Sequence, residues 1–326
     1  MDNFWQSLQK PIIALAPMED VTDTVFREVI RSVSDPEALH VMFTEFTSTD
    51  ELCNKKGRES VATRLVVNET ERELLETTNT KLVVQIWCSD SEKFYESAKL
   101  ITDMELFDAI DINMDCPVKK VVKNHSCSDL INHPEMAKEI IIATREGTDL
   151  PVSVKTRIGF NSIVTERWIG QLLEVQPAAI IIHSRTRAMM STGLALWDEI
   201  AKAAQLRNQM NSSTLILGNG DVDSHATALA RVHDFGVDGV MVGTSIFKNP
   251  WMFNIVEKKL SRQMRIDLLV KHIALFDQTW MEHGSFNVLK RFFKIYLNGF
   301  EGAAHWRDQL MHCKTCREAL EVIKRM

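Results

Sequence analysis

The chain has 326 residues, which is long enough to bury a large core and to hold one barrel with a smaller domain beside it. Its 45% hydrophobic and 25% charged residues are ordinary for a globular protein in water, and no apolar run reaches the ~18–20 residues that cross a bilayer. The six cysteines lack regular spacing and the first residues lack signal-peptide features, so we expect a cytoplasmic protein with reduced thiols and no membrane partner.

The net charge of −6 is divided unevenly along the chain. Residues 256–326 contain 13 Lys+Arg and 8 Asp+Glu, a net charge of +5, whereas the remainder contains 25 basic and 36 acidic residues, a net charge of −11. An acidic body with a basic C-terminal part can bind a polyanion through the basic part. A charge bias is also common on a merely solvated face, so this feature supports a nucleic-acid partner without establishing one.

Short β-rich runs alternate with helical segments through most of the chain. The predicted strands cover residues 12–15, 41–46, 82–86, 109–113, 152–156, 179–183, 214–217 and 239–242. Helical patterns between them cover residues 22–32, 92–102, 134–145, 165–175, 197–208 and 224–235. Eight strands with helices in most gaps indicate an α/β fold, a (β/α)8 TIM barrel rather than an open doubly wound sheet.

Two segments depart from this regular alternation. Residues 47–81 form a long connection, in which we expect a helix or a decorated loop. After Pro250-Trp251 the strand signal disappears, and periodic apolar positions predict a small helical bundle. We therefore predict a barrel domain over residues 1–255 and a helical domain over residues 256–326.

The segment Asn113-Met114-Asp115-Cys116-Pro117 places a thiol at the end of the fourth predicted strand, where proline stops the strand from continuing. In an α/β barrel the carboxyl ends of the strands form the catalytic face. A lone cysteine is more often a buried structural residue. The polar residues at the other strand ends favour a catalytic role for Cys116.

Those residues are Lys155, His183 and Gln85, each at the end of an apolar strand. A lysine inside an apolar strand requires a negative partner, and an anionic cofactor ring would serve. The amide of Gln85 can donate and accept hydrogen bonds at the edge of a heterocycle, and residues 16–19 could cover one side of such a ring. For His183 alone, a hydrogen-bonded core residue is the simpler interpretation.

Two glycine-containing segments near the end of the barrel predict a phosphate site. Gly218-Asn219-Gly220-Asp221 follows the seventh strand and Gly243-Thr244-Ser245 follows the eighth. Loops at these two positions commonly bind phosphate in this fold, because glycine lets backbone N–H groups approach the anion closely. Each segment alone would more often be an ordinary turn.

With these motifs in place, the chain resembles the tRNA-dihydrouridine synthase family over about residues 12–320. The segments that carry the resemblance are residues 16–23 with Phe26-Arg27, Thr44-Glu45, Gln85, Asn113 with Cys116-Pro117, 154–159, 183–186, 218–221, 238–243, Asn249-Pro250-Trp251 and 296–307. Any one of these motifs is weak, but their order and spacing together are specific.

The resemblance implies an FMN-dependent oxidoreductase that uses NADPH to reduce the C5–C6 double bond of specific uridines in tRNA to 5,6-dihydrouridine. Cys116 matches the proton donor, Asn113 a residue that contacts the target nucleotide, and Arg291 a tRNA contact in the helical domain. The predicted FMN residues are Pro17, Met18, Glu19, Gln85, Lys155 and His183 for the ring and ribityl chain, and Asn219, Gly220, Asp221, Gly243 and Thr244 for the phosphate. We expect a monomer with no obligate protein partner.

Three positions depart from the family pattern. Asp115 stands where the family usually has glycine, residues 124–129 replace a glycine-rich stretch, and Thr244 replaces an arginine on the FMN phosphate. Loss of a charge-assisted contact of about 1.5–3 kcal/mol would weaken FMN binding about ten- to a hundredfold. Alternatives are therefore a tRNA-binding family member with weakened or lost flavin catalysis, or an FMN barrel that acts on a small molecule; the basic helical domain argues against the latter.

We assign no metal ligands from the sequence. Cys313 and Cys316 form a single CxxC motif, which without a second matching pair is poor evidence for zinc. We interpret them as two free thiols on a C-terminal helix. A metal bound by Cys116, His125 and Cys127 would be adventitious.

Overall fold

The computed structural model describes residues 3–282 and 284–326, and nine strands in these ranges pair in parallel. The strands are β1 (Ile12–Leu15), β2 (Val41–Phe43), β3 (Thr47–Ser48), β4 (Lys81–Trp87), β5 (Ala109–Met114), β6 (Val152–Arg157), β7 (Ala179–His183), β8 (Leu215–Asn219) and β9 (Gly239–Val242). Strand β1 pairs with both β2 and β9, and β2 pairs with β4, so the sheet closes on itself. The predicted TIM barrel is confirmed.

The second barrel position is interrupted, which the sequence did not indicate. Both β2 and the two-residue β3 pair with β4, and the chain between them leaves the ladder. The N–H of Gln85 donates to the Thr44 hydroxyl at 3.2 Å, so a side chain replaces a backbone acceptor there. The predicted strand over residues 41–46 therefore ends at Phe43.

Helices surround the barrel and form the C-terminal part of the described chain. They are α1 (Phe4–Ser7), α2 (Thr24–Arg31), α3 (Thr49–Leu52), α4 (Lys55–Val61), α5 (Glu69–Thr77), α6 (Ser91–Asp103), α7 (Lys119–Val122), α8 (Pro134–Glu146), α9 (Thr165–Glu174), α10 (Trp197–Gln209), α11 (His225–Phe235), α12 (Arg262–Trp280), α13 (Phe293–Tyr296), α14 (Ala303–His312) and α15 (Cys316–Ile323). Five 3-10 helices in the described ranges cover Pro36–Ala38, Ala62–Leu65, Cys127–Asn132, Thr244–Phe247 and Phe286–Phe292. The long connection over residues 47–81 contains α3, α4 and α5.

Alternation along each strand separates two apolar cores. In β1, Ile12 and Ala14 belong to the cluster inside the barrel, whereas Ile13 and Leu15 pack in the layer between strands and helices. This follows from the strand period of two, which sends successive side chains to opposite faces. Trp5 of α1 is fully buried in the inner cluster, which contains the residues near the amino ends of the strands. On β4 to β8, the inward-facing residues toward the carboxyl ends are polar.

The C-terminal helices pack against α2 and the segment before it. The rings of Phe26 and Phe292 stack with their centroids 5.4 Å apart. The indole N–H of Trp280 donates to the Asp23 carboxylate at 2.8 Å, and that carboxylate also caps α2. The apolar core is therefore continuous from the barrel layer into the helical part. Among the described residues, no helix is both long and apolar enough to cross a membrane.

A buried ion pair joins α2 to α5. The guanidinium of Arg27 donates to both carboxylate oxygens of Glu71 at 2.6 and 2.8 Å, and both side chains are fully buried. The hydroxyl of Thr24 donates to the same carboxylate at 2.5 Å. This pair secures the helix on which the C-terminal part packs.

Replacement of Arg27 by alanine should lower the free energy of unfolding by about 3–5 kcal/mol, because it leaves the Glu71 carboxylate buried without a counter-charge. Urea denaturation measures this change. The control is Lys93→Ala, which removes a solvent-exposed ion pair with Asp50 and should cost less than about 1 kcal/mol because water screens that pair. Similar losses for the two variants would contradict the expectation.

Candidate active site

Polar side chains follow the apolar layers at the carboxyl ends of neighbouring strands. Strand register places Asn113 of β5 opposite Lys155 of β6, and His183 of β7 opposite Asn219 of β8. On β4, Gln85 stands opposite Asp111. Gln85, Asp111, Asn113, His183 and Asn219 are inward positions, because each lies two residues, or four, beyond an apolar residue of the inner core, and Lys155 shares the inward face through its register with Asn113. The structure therefore brings most of the predicted site residues to one end of the barrel.

The side chain of Asn113 shapes the turn that presents Cys116. Its Oδ1 accepts hydrogen bonds from the N–H groups of Asp115 and Cys116, both at 3.0 Å. Its Nδ2 donates to Oε1 of Gln85 at 3.0 Å. Both ends of the amide are thus bound within the protein, and the predicted contact of Asn113 with a nucleotide stays a prediction.

Below this turn, Gln85 belongs to a buried network. Its Nε2 donates to Oδ2 of Asp111 at 2.7 Å, and the hydroxyl of Ser153 donates to the other oxygen at 2.6 Å. Burial raises the pKa of Asp111 to about 6, against the opposing effect of these two hydrogen bonds. Because Gln85 is fully buried, its predicted contact with a flavin ring also stays a prediction.

Cys116 lies just beyond β5 with 8% of its surface exposed. Its carbonyl accepts hydrogen bonds from the Ser128 hydroxyl at 2.8 Å and the Ser128 N–H at 3.4 Å. These bonds bring the loop after the thiol back against it, with fully buried Cys127 alongside. From the sequence, Cys127 is expected only as an adventitious metal ligand, and its contact with Cys116 is not predicted.

The two thiols influence each other's ionisation. A hydrogen bond from the Cys127 thiol lowers the pKa of Cys116, whereas burial and the nearby Asp115 carboxylate raise it; the first effect is the largest, and the net shift is downward. Burial and the same hydrogen bond raise the pKa of Cys127 well above its ordinary value. Cys127 is therefore the proton-bearing partner of the pair.

Asp115 is the electrostatic centre of the strand ends. Its carboxylate pairs with the Lys155 ammonium, with Nε of Arg157 at 2.7 Å and with Nδ1 of His183 at 3.3 Å. Burial opposes ionisation, but the charges of Arg157 and Lys155 outweigh it and hold the pKa of Asp115 well below its usual range. Burial lowers the pKa of His183, which favours a neutral imidazole.

This arrangement answers a question that the sequence raised. The burial of Lys155 predicted a negative partner, and a cofactor ring was the candidate considered. The structure provides Asp115, which is separated from Lys155 by 40 residues in the chain. In the sequence Asp115 stands out only as a departure from the family's glycine, and this carboxylate was the available signal of a partner for Lys155.

The residues predicted around a phosphate divide into two groups. Gly243 carries no side chain, and a Cβ added there would make ordinary van der Waals contacts with Ala16 at 3.9 Å and Asn219 at 4.0 Å. In contrast, the carboxylate of Asp221 turns to Arg185, with both oxygens 2.8 Å from Nη2. Gly220 has a φ of +131°, and a side chain there would meet the Ser184 hydroxyl at 2.5 Å, so only glycine fits.

A second pair of acidic residues, Glu19 in the loop after β1 and the nearby Glu45, lies at this end of the barrel. The carboxylate of Glu19 binds the guanidinium of Arg64, with one contact at 2.9 Å. Beside it, Glu45 accepts a hydrogen bond from the N–H of Asp20 at 2.5 Å, and burial raises the pKa of Glu45 to about 7. Pro17 and Met18 precede this pair, and Met18 is partly buried against the core.

Arg291 and Thr244 lie close to each other, and Cys116 is not among the described residues that surround them. Both line a cavity of about 710 Å³ between the barrel and the C-terminal helices, together with Lys248 and Lys294. Arg291 donates to the carbonyl of Asp20 at 2.7 Å and pairs with its carboxylate at 3.1 Å. The helical part thereby reaches the mouth of the barrel.

A closed parallel barrel with a thiol and charged groups at the carboxyl ends of its strands has the architecture of a barrel enzyme. A model of the dihydrouridine synthase family matches residues 14–326, and the chain belongs to that family. A probable tRNA-dihydrouridine synthase of Staphylococcus epidermidis is 40% identical over 324 residues, which cover 99% of this chain and 95% of that protein. A probable tRNA-dihydrouridine synthase 2 of Bacillus subtilis is 40% identical over 319 residues, covering 97% and 94%.

A solved structure agrees with the architecture. A morphinone reductase variant in complex with tetrahydroNAD aligns with a TM-score of 0.50 at 11% identity and covers 74% of this chain and 85% of that one. At this identity the similarity concerns the fold alone.

Replacement of Cys127 by alanine should raise the pKa of Cys116, because the thiolate loses its hydrogen-bond donor. The midpoint of the pH dependence of Cys116 alkylation by iodoacetamide, followed by peptide mass spectrometry, should therefore move to higher pH. Cys127→Ser retains a donor and should stay nearer the wild-type midpoint. Cys53→Ala, at a thiol that contacts Lys93 and Ser97 instead, is the control. An unchanged midpoint in Cys127→Ala would rule out this influence.

Proposed function

We propose that this chain reduces the C5–C6 double bond of specific uridines in tRNA to 5,6-dihydrouridine, with FMN as cofactor and NADPH as reductant. The observation that carries the proposal is the thiol of Cys116, held in a defined turn at the mouth of the barrel beside buried Lys155 and His183. Its support is membership of the dihydrouridine synthase family over almost the whole chain.

The chemistry of the donor groups fits FMN. An ammonium and an imidazole at the ends of β6 and β7 suit the polar edge of a flavin ring, and Pro17 and Met18 suit its apolar face. The backbone at Gly243, which carries no side chain, suits a phosphate close to backbone N–H groups, with the Thr244 hydroxyl as a further donor. When bound and reduced, the flavin supplies the hydride that adds to C6 of the uracil.

Cys116 supplies the proton that balances this addition, from Sγ to C5. A proton donor must be in its thiol form, and burial together with Asp115 favours that form, whereas Cys127 favours the thiolate. The turn held by Asn113 fixes the direction in which Sγ points. Because Cys116 is only 8% exposed, few water molecules compete with the substrate for its proton.

The basic cavity between the barrel and the C-terminal helices supports a polyanionic substrate. It is lined by three basic residues, Lys248, Arg291 and Lys294, and none of its described lining residues is acidic. We propose residues 256–326 as the tRNA-binding domain, with a net charge of +5 that attracts phosphates. A uridine leaves its stack before it enters a barrel mouth of this kind.

The second candidate function is tRNA binding with weakened flavin catalysis. The observation that favours it is the carboxylate of Asp115, which occupies the donors of Lys155 and His183 that a flavin would otherwise receive. The neutral Thr244 at the proposed phosphate end acts in the same direction. Cofactor content of the purified protein separates the two candidates.

The visible absorption spectrum of the purified protein should show bound flavin, released on denaturation as FMN. With NADPH and tRNA from a strain that lacks this gene, the protein should form dihydrouridine, measured by mass spectrometry of digested tRNA. Protein that binds tRNA but contains no flavin, and takes none up, would support the second candidate. Bound flavin with no activity on tRNA would instead favour a small-molecule substrate.

Cys116→Ala should retain flavin and lose nearly all dihydrouridine formation, because the proposed proton donor to C5 is removed. Cys53→Ala, at a distant and partly buried thiol, should retain activity. Full turnover by Cys116→Ala would remove the thiol from its proposed role.

Lys155→Met should weaken FMN binding about ten- to a hundredfold, because a charge-assisted hydrogen bond contributes about 1.5–3 kcal/mol. Fluorescence quenching during titration with FMN measures the affinity. The matched control is Lys93→Met, which removes a lysine that also pairs with an aspartate but is exposed on the surface. Equal FMN affinities for Lys155→Met and wild type would exclude Lys155 from the cofactor site.

A further inference from the structure

Three side chains of metal-ligating type converge on the loop that follows Cys116. After Pro117 the chain forms α7 and returns through the 3-10 helix Cys127–Asn132 to α8. His125 precedes this 3-10 helix, Asp129 lies within it, and His133 caps the start of α8. The tight path of this segment brings residues four and eight positions apart to one side.

The distances between the three groups suit a small cation. Oδ2 of Asp129 lies 2.9 Å from Nδ1 of His125 and 3.4 Å from Nε2 of His133, and all three ligand atoms lie within 4.8 Å of one another. In a tetrahedral zinc site with bonds of about 2.0–2.2 Å, ligand atoms are about 3.3 Å apart. Small side-chain rotations therefore suffice to bind an ion.

The carboxylate in the middle is already oriented. Nδ2 of Asn132 donates to Oδ1 of Asp129 at 2.8 Å and leaves Oδ2 directed at the two imidazoles. Metal-binding carboxylates are commonly held by such a second hydrogen bond. Only 13% of the Asp129 side chain is exposed, compared with 63% for His125 and 41% for His133, so one ligand is anchored while the other two are accessible.

We infer that His125, Asp129 and His133 form a binding site for a divalent transition-metal ion of the zinc type, with water as the fourth ligand. Two imidazoles and one carboxylate favour Zn²⁺ over Mg²⁺ and Ca²⁺, which prefer oxygen ligands. Cys127 lies between two of the ligands and contacts Cys116. The bound ion thus secures the loop that supports the thiol of Cys116.

The test uses the full chain without a histidine tag. Isothermal titration with Zn²⁺ should show one equivalent bound, and titration with Co²⁺ should give the visible absorption of a tetrahedral ion, whereas Mg²⁺ should give neither signal. His125→Ala and His133→Ala should each weaken Zn²⁺ binding by at least about tenfold. Loss of a residue that only supports a ligand already costs about this much, and loss of a ligand itself should cost no less. Circular dichroism checks that the variants fold.

Two controls separate this site from other ligands. His233→Ala removes an exposed histidine that pairs with a single carboxylate, Asp234 at 3.0 Å, and should leave the Zn²⁺ affinity unchanged. Cys116→Ser combined with Cys127→Ser should keep the one-to-one stoichiometry. Loss of binding in that double variant would assign the ion to the thiols and overturn the inference.

The loop provides a second measurement that does not depend on activity. Hydrogen exchange of residues 118–133 should slow when Zn²⁺ is added to wild type and stay unchanged in His125→Ala. Zinc affinity unaffected by both histidine replacements, or no bound zinc in wild type, would also overturn the site. Neither flavin nor tRNA is needed, so these results are independent of the proposed reaction.

Discussion

Two cations buried on one strand require an anion, and the arrangement of the strand ends depends on how that requirement is met. Lys155 and Arg157 both belong to β6 and are 4% and 3% exposed. The cost of burying them is offset by Asp115, whose carboxylate also reaches His183 on β7. The ends of β5, β6 and β7 are therefore joined by one charged group, and the thiol of Cys116 is the next residue along the chain.

The same carboxylate links structure to chemistry in two opposing ways. It opposes the lowering of the Cys116 pKa by Cys127, and it takes up donors of Lys155 and His183, the residues proposed for a flavin. The geometry of the turn is held separately by Asn113, whose side chain accepts hydrogen bonds from the backbone N–H groups of residues 115 and 116. The direction of the thiol thus depends on an amide, and its acidity depends on Asp115 and Cys127.

The helical part contributes both stability and charge to the mouth of the barrel. Stacking of Phe292 on Phe26 and the Trp280–Asp23 hydrogen bond extend the apolar core across the boundary between the two parts. Packing at that boundary brings Arg291 to Asp20, in the loop that follows β1. The net positive charge of residues 256–326 thereby contributes Arg291 and Lys294 to a basic cavity beside the strand ends.

The sequence by itself determined the barrel, most of its strand boundaries and the set of residues at the strand ends. Strands over residues 12–15, 179–183 and 239–242 were predicted with their observed bounds, because the run of apolar residues that specifies a strand is a local property. It also showed that Lys155 needs an anion. The break after Phe43, the pairing of Asp115 with Lys155 and the contact of Cys127 with Cys116 were decided only by the tertiary structure. Each depends on atoms brought within a few ångströms from distant parts of the chain, and no local pattern of residue types specifies which side chain arrives there.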